Sequence, residues 1–102
     1  MSVLDLKSQH IIVYQPLAEK LLAGETHVLL KYDTTEKVLL MAPASRNEFK
    51  VAHKAAQHML KERNLKGDKS ISIHEILIDH ELDDNDRVLS FFEQEGIIKI
   101  NL

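Results

Sequence analysis

The sequence predicts a single α+β domain over residues 1–102, in which a small antiparallel sheet packs against one long central helix and two shorter helices. Three observations lead to this class: a hairpin signal at 27–42, a capping box ahead of a helical stretch at 46–64, and a strand-like run at 97–101. The composition agrees, because 44% hydrophobic and 28% charged residues are ordinary values for a globular domain.

The sheet is predicted from short apolar runs that end at turn-forming residues. "HIIVY" is β-branched and ends before Gln15 and Pro16, and "IIKINL" follows Gly96. The apolar runs on either side of the polar centre 33–36 indicate a hairpin. Both runs are nearly continuous in Val and Leu, so we expect helices to cover one face and a partner subunit the other. The predicted strands are 10–14, 27–33, 36–42 and 97–101.

The long helix is predicted to begin at a capping box formed by Ser45 and Glu48. Gly67 ends the segment. One arc of the helix surface is apolar and contains Phe49, Ala52, Ala56, Met59 and Leu60. A shorter helix at 16–23 has Pro16 in its first turn.

The second half of the chain admits two interpretations. Residues 70–80 fit either a strand or a helix capped by Ser72 and Glu75, and we favour a strand that passes into a short helix. For 84–95 we favour a helix, because aspartates suit a helix N-terminus and Gly96 suits its end. The alternative is a hairpin over 87–101 that repeats 27–41, as in duplicated swapped-hairpin barrels. It rests on aliphatic identities at an offset of 60 residues: Ile11, Leu17, Leu22, Val28 and Leu29 recur as Ile71, Leu77, Leu82, Val88 and Leu89.

Composition and the N-terminal segment narrow the function classes. The absence of cysteine excludes disulfide frameworks, thiolate nucleophiles and cysteine-bound zinc. No apolar run approaches the roughly 18 residues of a membrane span, and the start has no leader pattern. We therefore expect a cytoplasmic protein without a membrane partner, with residues 1–8 loosely ordered.

A stripe of basic and polar side chains marks the predicted long helix, although the chain as a whole has a net charge of -3. Segment 45–66 holds six basic residues against two glutamates. The stripe lies within roughly 100 degrees of the helix surface and consists of Arg46, Lys50, His53, Lys54, Gln57 and Lys61. It fits either a solvated face, the interpretation we favour, or a site for a protein partner or nucleic acid. The acidic residues that would complement it are Glu75, Asp79, Asp83, Asp84 and Asp86.

Nucleic-acid binding is the second hypothesis, because the predicted order of helices and strand over 45–101 resembles a winged helix-turn-helix. Its groove-reading helix would be 84–95, and that segment opposes Arg87 alone with four acidic residues, which phosphates would repel. A winged-helix-like or basic-helix transcriptional regulator therefore ranks second.

Catalysis and metal binding find little support in the residue pattern. His74 and His80 are six residues apart, which on a helix separates them by about 120 degrees, so one metal ion cannot join them. No phosphate-binding glycine loop or nucleophile motif occurs. We expect no cofactor, no metal and no enzymatic activity, with a small enzyme of unknown reaction as the last alternative. The sequence thus favours a non-enzymatic interaction or regulatory module that acts through protein–protein contacts as a homodimer.

Overall fold

The computed structural model describes residues 4–63 and 67–102. These residues form two antiparallel sheets of five strands each, together with three short helices. In spatial order, sheet A contains β6 (Lys61–Glu62), β7 (Lys69–Ser72), β2 (His10–Val13), β1 (Leu4–Lys7) and β8 (Arg87–Val88). Sheet B contains β5 (Ala56–Met59), β3 (His27–Asp33), β4 (Val38–Pro43), β10 (Ile97–Asn101) and β9 (Phe91–Gln94). The helices are α1 (Gln15–Leu22), α2 (Asn47–His53) and α3 (His74–Asp79).

The main apolar core lies between the two sheets. The inward-facing side chains come from β1, β2 and β7 of sheet A and from β3, β4 and β10 of sheet B; they include Leu4, Leu6, Ile11, Val13, Ile71, Val28, Leu30, Leu39, Met41, Ile98 and Ile100. α1 and α3 add Leu17, Ala18 and Leu77 to the same core. Full burial of one such Leu or Ile side chain contributes roughly 1.5–3 kcal/mol, so this layer supplies most of the driving force for folding.

A second apolar cluster lies on the outer face of sheet B, under α2. Phe49 of α2 is 2% exposed and packs with Leu29, Leu40 and Ala42. The β3–β4 hairpin is therefore buried on both faces, as its continuous apolar runs predict. The second face is covered by sheet A of the same chain rather than by a partner subunit.

The predicted α+β class with one long central helix is wrong. The described residues are mostly in β-strands, and these strands form two sheets rather than one. The helix predicted over 46–64 is present only as α2, and it ends where Lys54 takes a φ of 52°. The chain then continues as β5, which pairs with β3, and as β6, which pairs with β7. Backbone groups along the edges of β3 and β7 need partners. Strand pairing supplies them and outweighs a helix propensity that is only a weak influence.

The predicted capping box at the start of that helix is also wrong. The helix begins after Arg46, and no side chain caps it. The Ser45 amide donates to the Glu25 carboxylate instead, at 3.0 Å, while the Glu48 carboxylate pairs with the Arg46 guanidinium. A tertiary contact has thus replaced the local one.

The helix predicted over 84–95 is wrong as well, and the hairpin alternative is the one observed. Leu89 and Phe91 pack into the core at two-residue spacing, which is a strand pattern. Gly96 does not end a helix. It follows Glu95 in a two-residue turn in which both φ angles are positive, at 54° and 81°, as in a type I′ hairpin.

The elements with local sequence signals are confirmed. The runs at 10–14, 27–33 and 97–101 are strands, the hairpin at 27–42 is formed, and 16–23 is helical. Residues 70–80 pass from β7 into α3, as predicted. Of the start expected to be loosely ordered, residues 1–3 lie outside the described part of the chain. Leu4–Lys7 form β1, in which Leu4 and Leu6 are fully buried.

The architecture repeats once along the chain. A strand hairpin, a helix and a second hairpin occur as β1–β2, α1 and β3–β4, and again as β6–β7, α3 and β9–β10. The two copies meet where β2 pairs with β7, with Ile11 directly opposite Ile71, and where β4 pairs with β10. Each helix also reaches the hairpin of the other copy. Lys20 of α1 pairs with Glu93 at 2.9 Å, and the His80 ring after α3 lies 4.5 Å from the Tyr32 ring.

Candidate functional site

The six residues of the predicted basic stripe do not share one helix face. Arg46 precedes α2, Lys50 and His53 lie within it, and Lys54 ends it, whereas Gln57 belongs to β5 and Lys61 to β6. Arg46 is engaged by Glu48 at 3.1 Å, and the His53 ring packs on Phe49 with ring centroids 4.6 Å apart. The structure therefore leaves Lys50 and Lys54 as the exposed cations of α2.

The predicted acidic complement lies around α3 and has a structural task. Glu75 and Asp79 are on α3, and the remaining three acids lie in the segment between α3 and β8. Asp86 accepts a hydrogen bond from the Ser8 amide at 2.9 Å, Asp84 accepts one from the Gln9 side chain at 3.2 Å, and Asp83 accepts one from the Asn85 amide. None of the ion pairs formed by residues 4–63 and 67–102 joins this acidic set to the basic set.

The turn that donates two of these hydrogen bonds, from Ser8 and Gln9, is strained. Ser8 and Gln9 connect β1 to β2 with φ angles of 47° and 66°, which a type I′ turn requires but side chains other than those of Gly, Asn and Asp rarely adopt. Besides Asp84 and Asp86, the turn is held by the Ile73 amide, which donates to the Gln9 carbonyl, and by His74 Nδ1 on the Gln9 side chain. Strain of this kind persists where surrounding contacts over-determine the conformation.

A pocket of about 280 Å³ contains His74, one of the two histidines considered above for metal binding. Its lining includes His58, Ser72, His74 and Glu75, whereas His80 lies elsewhere, against Tyr32. Burial lowers the pKa of His58, and the charge of Glu75 opposes that shift. Within the described residues no hydrogen bond joins His58 to Ser72 or Glu75, so no nucleophile–base pair is assembled there.

Neither a metal-ligating cluster nor a membrane-spanning helix is found among the described residues. Residues 4–63 and 67–102 contain no group of three or more histidine or acidic side chains placed to hold a metal ion. No helix in those two ranges is long and apolar enough to cross a membrane.

The structure brings together two surfaces that sequence reasoning missed. One is a polar pocket on the outer face of sheet A that joins Lys7 to Arg63, residues 56 positions apart in sequence. The other is the edge strand β9, where Phe92 is 61% exposed. The sequence holds no local signal for the pocket, because only strand register assembles it. Phe92 lies in segment 84–95, for which the sequence predicted a helix that does not form.

No protein-family model matches the chain, and comparisons with curated proteins and with solved structures give no significant match.

Proposed function

We propose that the protein is a non-enzymatic interaction module that acts through protein–protein contacts, as a homodimer joined along β9. The observation that carries this proposal is the exposure of Phe92, together with its place on an edge strand. Large exposed aromatic side chains are the usual anchors of protein interfaces.

The position of Phe92 within sheet B makes its exposure unusual. The row Lys31–Leu40–Lys99–Phe92 crosses the outer face, with one residue from each of four neighbouring strands. Lys31 and Phe92 stand at equivalent ends of this row, one in each repeated hairpin. A lysine there suits solvent and discourages edge pairing, whereas a phenylalanine gains roughly 1.5–3 kcal/mol when it is fully buried.

The backbone of β9 is also open to pairing. Within the described residues β9 pairs with β10 on one side and with no strand on the other. Phe91–Gln94 contains no proline and no lysine, the residues that commonly protect an edge. An added antiparallel strand would bond to this backbone and cover Phe92.

A second copy of the chain is a suitable added strand because β9 is complementary to itself. In antiparallel pairing centred on Phe92, the two Phe92 rings face each other and Phe91 lies opposite Glu93 of the second copy. Moving the centre to Glu93 would place two carboxylates opposite each other, which is unfavourable. The favoured register gives a closed two-fold dimer and one continuous sheet.

Light scattering over a range of protein concentrations tests this proposal. The wild-type protein is expected to be dimeric, and Phe92→Ser is expected to weaken association by about tenfold or more, since burial of both rings is lost. Val51→Ser is the matched control, because Val51 is an apolar residue of comparable exposure, 73%, that belongs to α2 and not to the β9 edge strand. A wild-type protein that is monomeric throughout, or a control that weakens association equally, would contradict the dimer.

Cross-linking tests the register. The chain contains no cysteine, so Phe92→Cys introduces a single thiol. In the favoured register two such residues are directly opposed at about 4.5–5.5 Å between Cα atoms, which a disulfide can span. Rapid oxidation to a covalent dimer is expected for Phe92→Cys and not for Val51→Cys.

A further inference from the structure

The outer face of sheet A carries a polar pocket of about 350 Å³. Ile12 is part of its lining, and the polar residues around it are Lys7, Ser8, His10, Arg63, Ser70 and Asp86. Ile12 is only 1% exposed, whereas Lys7 and Arg63 are exposed side chains. The pocket thus combines a buried apolar residue with a rim of hydrogen-bond donors and two fixed positive charges.

Strand register places these residues side by side. Lys7 lies opposite His10 at the end of the β1–β2 hairpin, and Ile12 lies opposite Ser70 of β7. Ser70 in turn lies opposite Lys61, and Arg63 follows two residues later, on the same face of the strand. Three neighbouring strands and the adjoining turn therefore contribute to one pocket on a rigid scaffold.

The charges of the pocket are available to a ligand. Within residues 4–63 and 67–102, neither Lys7 nor Arg63 forms an ion pair with a carboxylate. The acid in the lining, Asp86, already accepts the Ser8 amide at 2.9 Å. Among the lining residues, the two cations therefore outnumber the one carboxylate, Asp86, which favours an anionic ligand.

The hydrogen-bonding groups of the pocket are oriented by the strained turn. His10 Nδ1 lies 2.8 Å from the Ser8 carbonyl oxygen, so Nδ1 carries the proton in that contact and Nε2 is left for another partner. Because Ser8 and Gln9 are held in left-handed conformations by contacts with α3 and the acidic segment, the backbone that carries Lys7 and His10 is fixed before any ligand arrives.

We propose that this pocket binds a phosphoryl group. The guanidinium of Arg63 presents a planar fork of donors that matches two phosphate oxygens, and the Lys7 ammonium supplies a second charge. The hydroxyls of Ser8 and Ser70 can donate to the remaining oxygens. This proposal is independent of dimerisation through β9, which lies at the edge of the other sheet.

Amide NMR titration of the full chain at fixed sodium chloride concentration tests the proposal with three probes: inorganic phosphate, adenosine monophosphate and a short single-stranded oligonucleotide. Saturable shifts are expected at residues 7–10, 63 and 70 with at least one probe. Shifts with the two small probes alone identify a small phosphate ester as the ligand. Tighter binding of the oligonucleotide at the same residues identifies a nucleic-acid backbone as the source of the phosphate.

A charge-matched pair of variants decides whether the pocket is responsible. Lys7→Gln with Arg63→Gln is expected to weaken binding by about tenfold or more, because charge-assisted hydrogen bonds are lost. Lys50→Gln with Lys54→Gln removes the same charge from α2 and is expected to change affinity by less than about twofold. Non-saturating shifts, shifts confined to other residues, or equal loss in both variants would overturn the proposal, and the wild-type shift map decides alone if the pocket variant does not fold.

Discussion

At the scale of single residues, the buried carboxylate of Asp5 is the least satisfied polar group in sheet A. Asp5 is 6% exposed, and its Oδ2 accepts a hydrogen bond from the Tyr14 hydroxyl at 2.8 Å. Its Oδ1 has no hydrogen-bond partner within the described residues. The bond to Asp5 is the main reason that the pKa of Tyr14 is raised, burial adds to the shift, and the charge of Arg63 opposes it.

Tyr14→Phe should therefore destabilise the fold, because it leaves the whole Asp5 carboxylate buried without a side-chain donor. We expect a loss of about 1–3 kcal/mol in the free energy of unfolding, measured by urea denaturation. Adding Asp5→Leu should restore most of that loss, since Ile12 and Val88 lie directly opposite Asp5 and neither polar partner then remains. A change in Tyr14→Phe below about 0.5 kcal/mol would show that the contact contributes little.

At the scale of elements, the sequence predicts those structures whose signals act within a few residues. Pro16 and Gly24 bracket α1, and the polar centre at 33–36 forms the turn between β3 and β4. These local signals suffice because the contacts that they describe are themselves local.

Where an element depends on a distant partner, the sequence misleads. The apolar arc of residues 49–60 fits a helix, but β5 forms because β3 offers it an edge across Val28 and His58. The Asp-rich start and Gly96 fit a helix as well, yet the same glycine serves a type I′ turn. The basic stripe was predicted from the 46–64 helix. Because only Asn47–His53 of that segment is helical, the six residues of the stripe do not lie on one face.

Two of the glycines that follow predicted helices, Gly24 and Gly96, allow the turn at Gly96 to be tested. Both have positive φ, 81° at Gly96 and 77° at Gly24, so alanine should cost about 1–2 kcal/mol at either position. A Cβ at Gly24 would meet no atom within 4 Å, whereas one at Gly96 would lie 2.8 Å from Arg46 Nη1. Gly96→Ala should therefore be the more destabilising by urea denaturation, and an Arg46→Ala background should abolish the difference. Equal values in the wild-type background would contradict the close contact.

At the scale of the whole molecule, residues 60 positions apart occupy equivalent places in some elements but not in others. Leu17 and Leu77 are both buried in the core, on α1 and α3. Val28 is fully buried, but Val88 is 67% exposed and Leu89 takes the buried place. The slip follows from hairpin length, because four residues connect β3 to β4 and two connect β9 to β10. Aliphatic identities alone could not distinguish this arrangement from a helix.

The candidate surfaces belong to this scale as well, which is why the sequence did not predict them. Lys7 and Arg63 approach through the pairing of β1, β2, β7 and β6 in one sheet. Phe92 becomes an anomaly only beside Lys31, its counterpart at the other end of the row. Both observations depend on how the two repeated copies are arranged in space, and no short stretch of sequence shows that arrangement.

That relation predicts energetic coupling between the two halves of the chain. Ile11 and Ile71 are directly opposite at the junction of β2 and β7, and both are fully buried. Alanine at either position should cost about 2–5 kcal/mol by urea denaturation, through lost burial and the cavity left behind. The double variant should cost less than the sum by about 0.5–3 kcal/mol, because the two cavities merge and the site can relax once.

The control for this cycle combines Ile11→Ala with Phe49→Leu, since Phe49 lies in the separate cluster under α2. That pair should be additive within about 0.3–0.5 kcal/mol. If the stability losses at Ile11 and Ile71 were additive as well, the two copies would be in contact but energetically independent. Coupling there would mean that neither copy completes its core without the other.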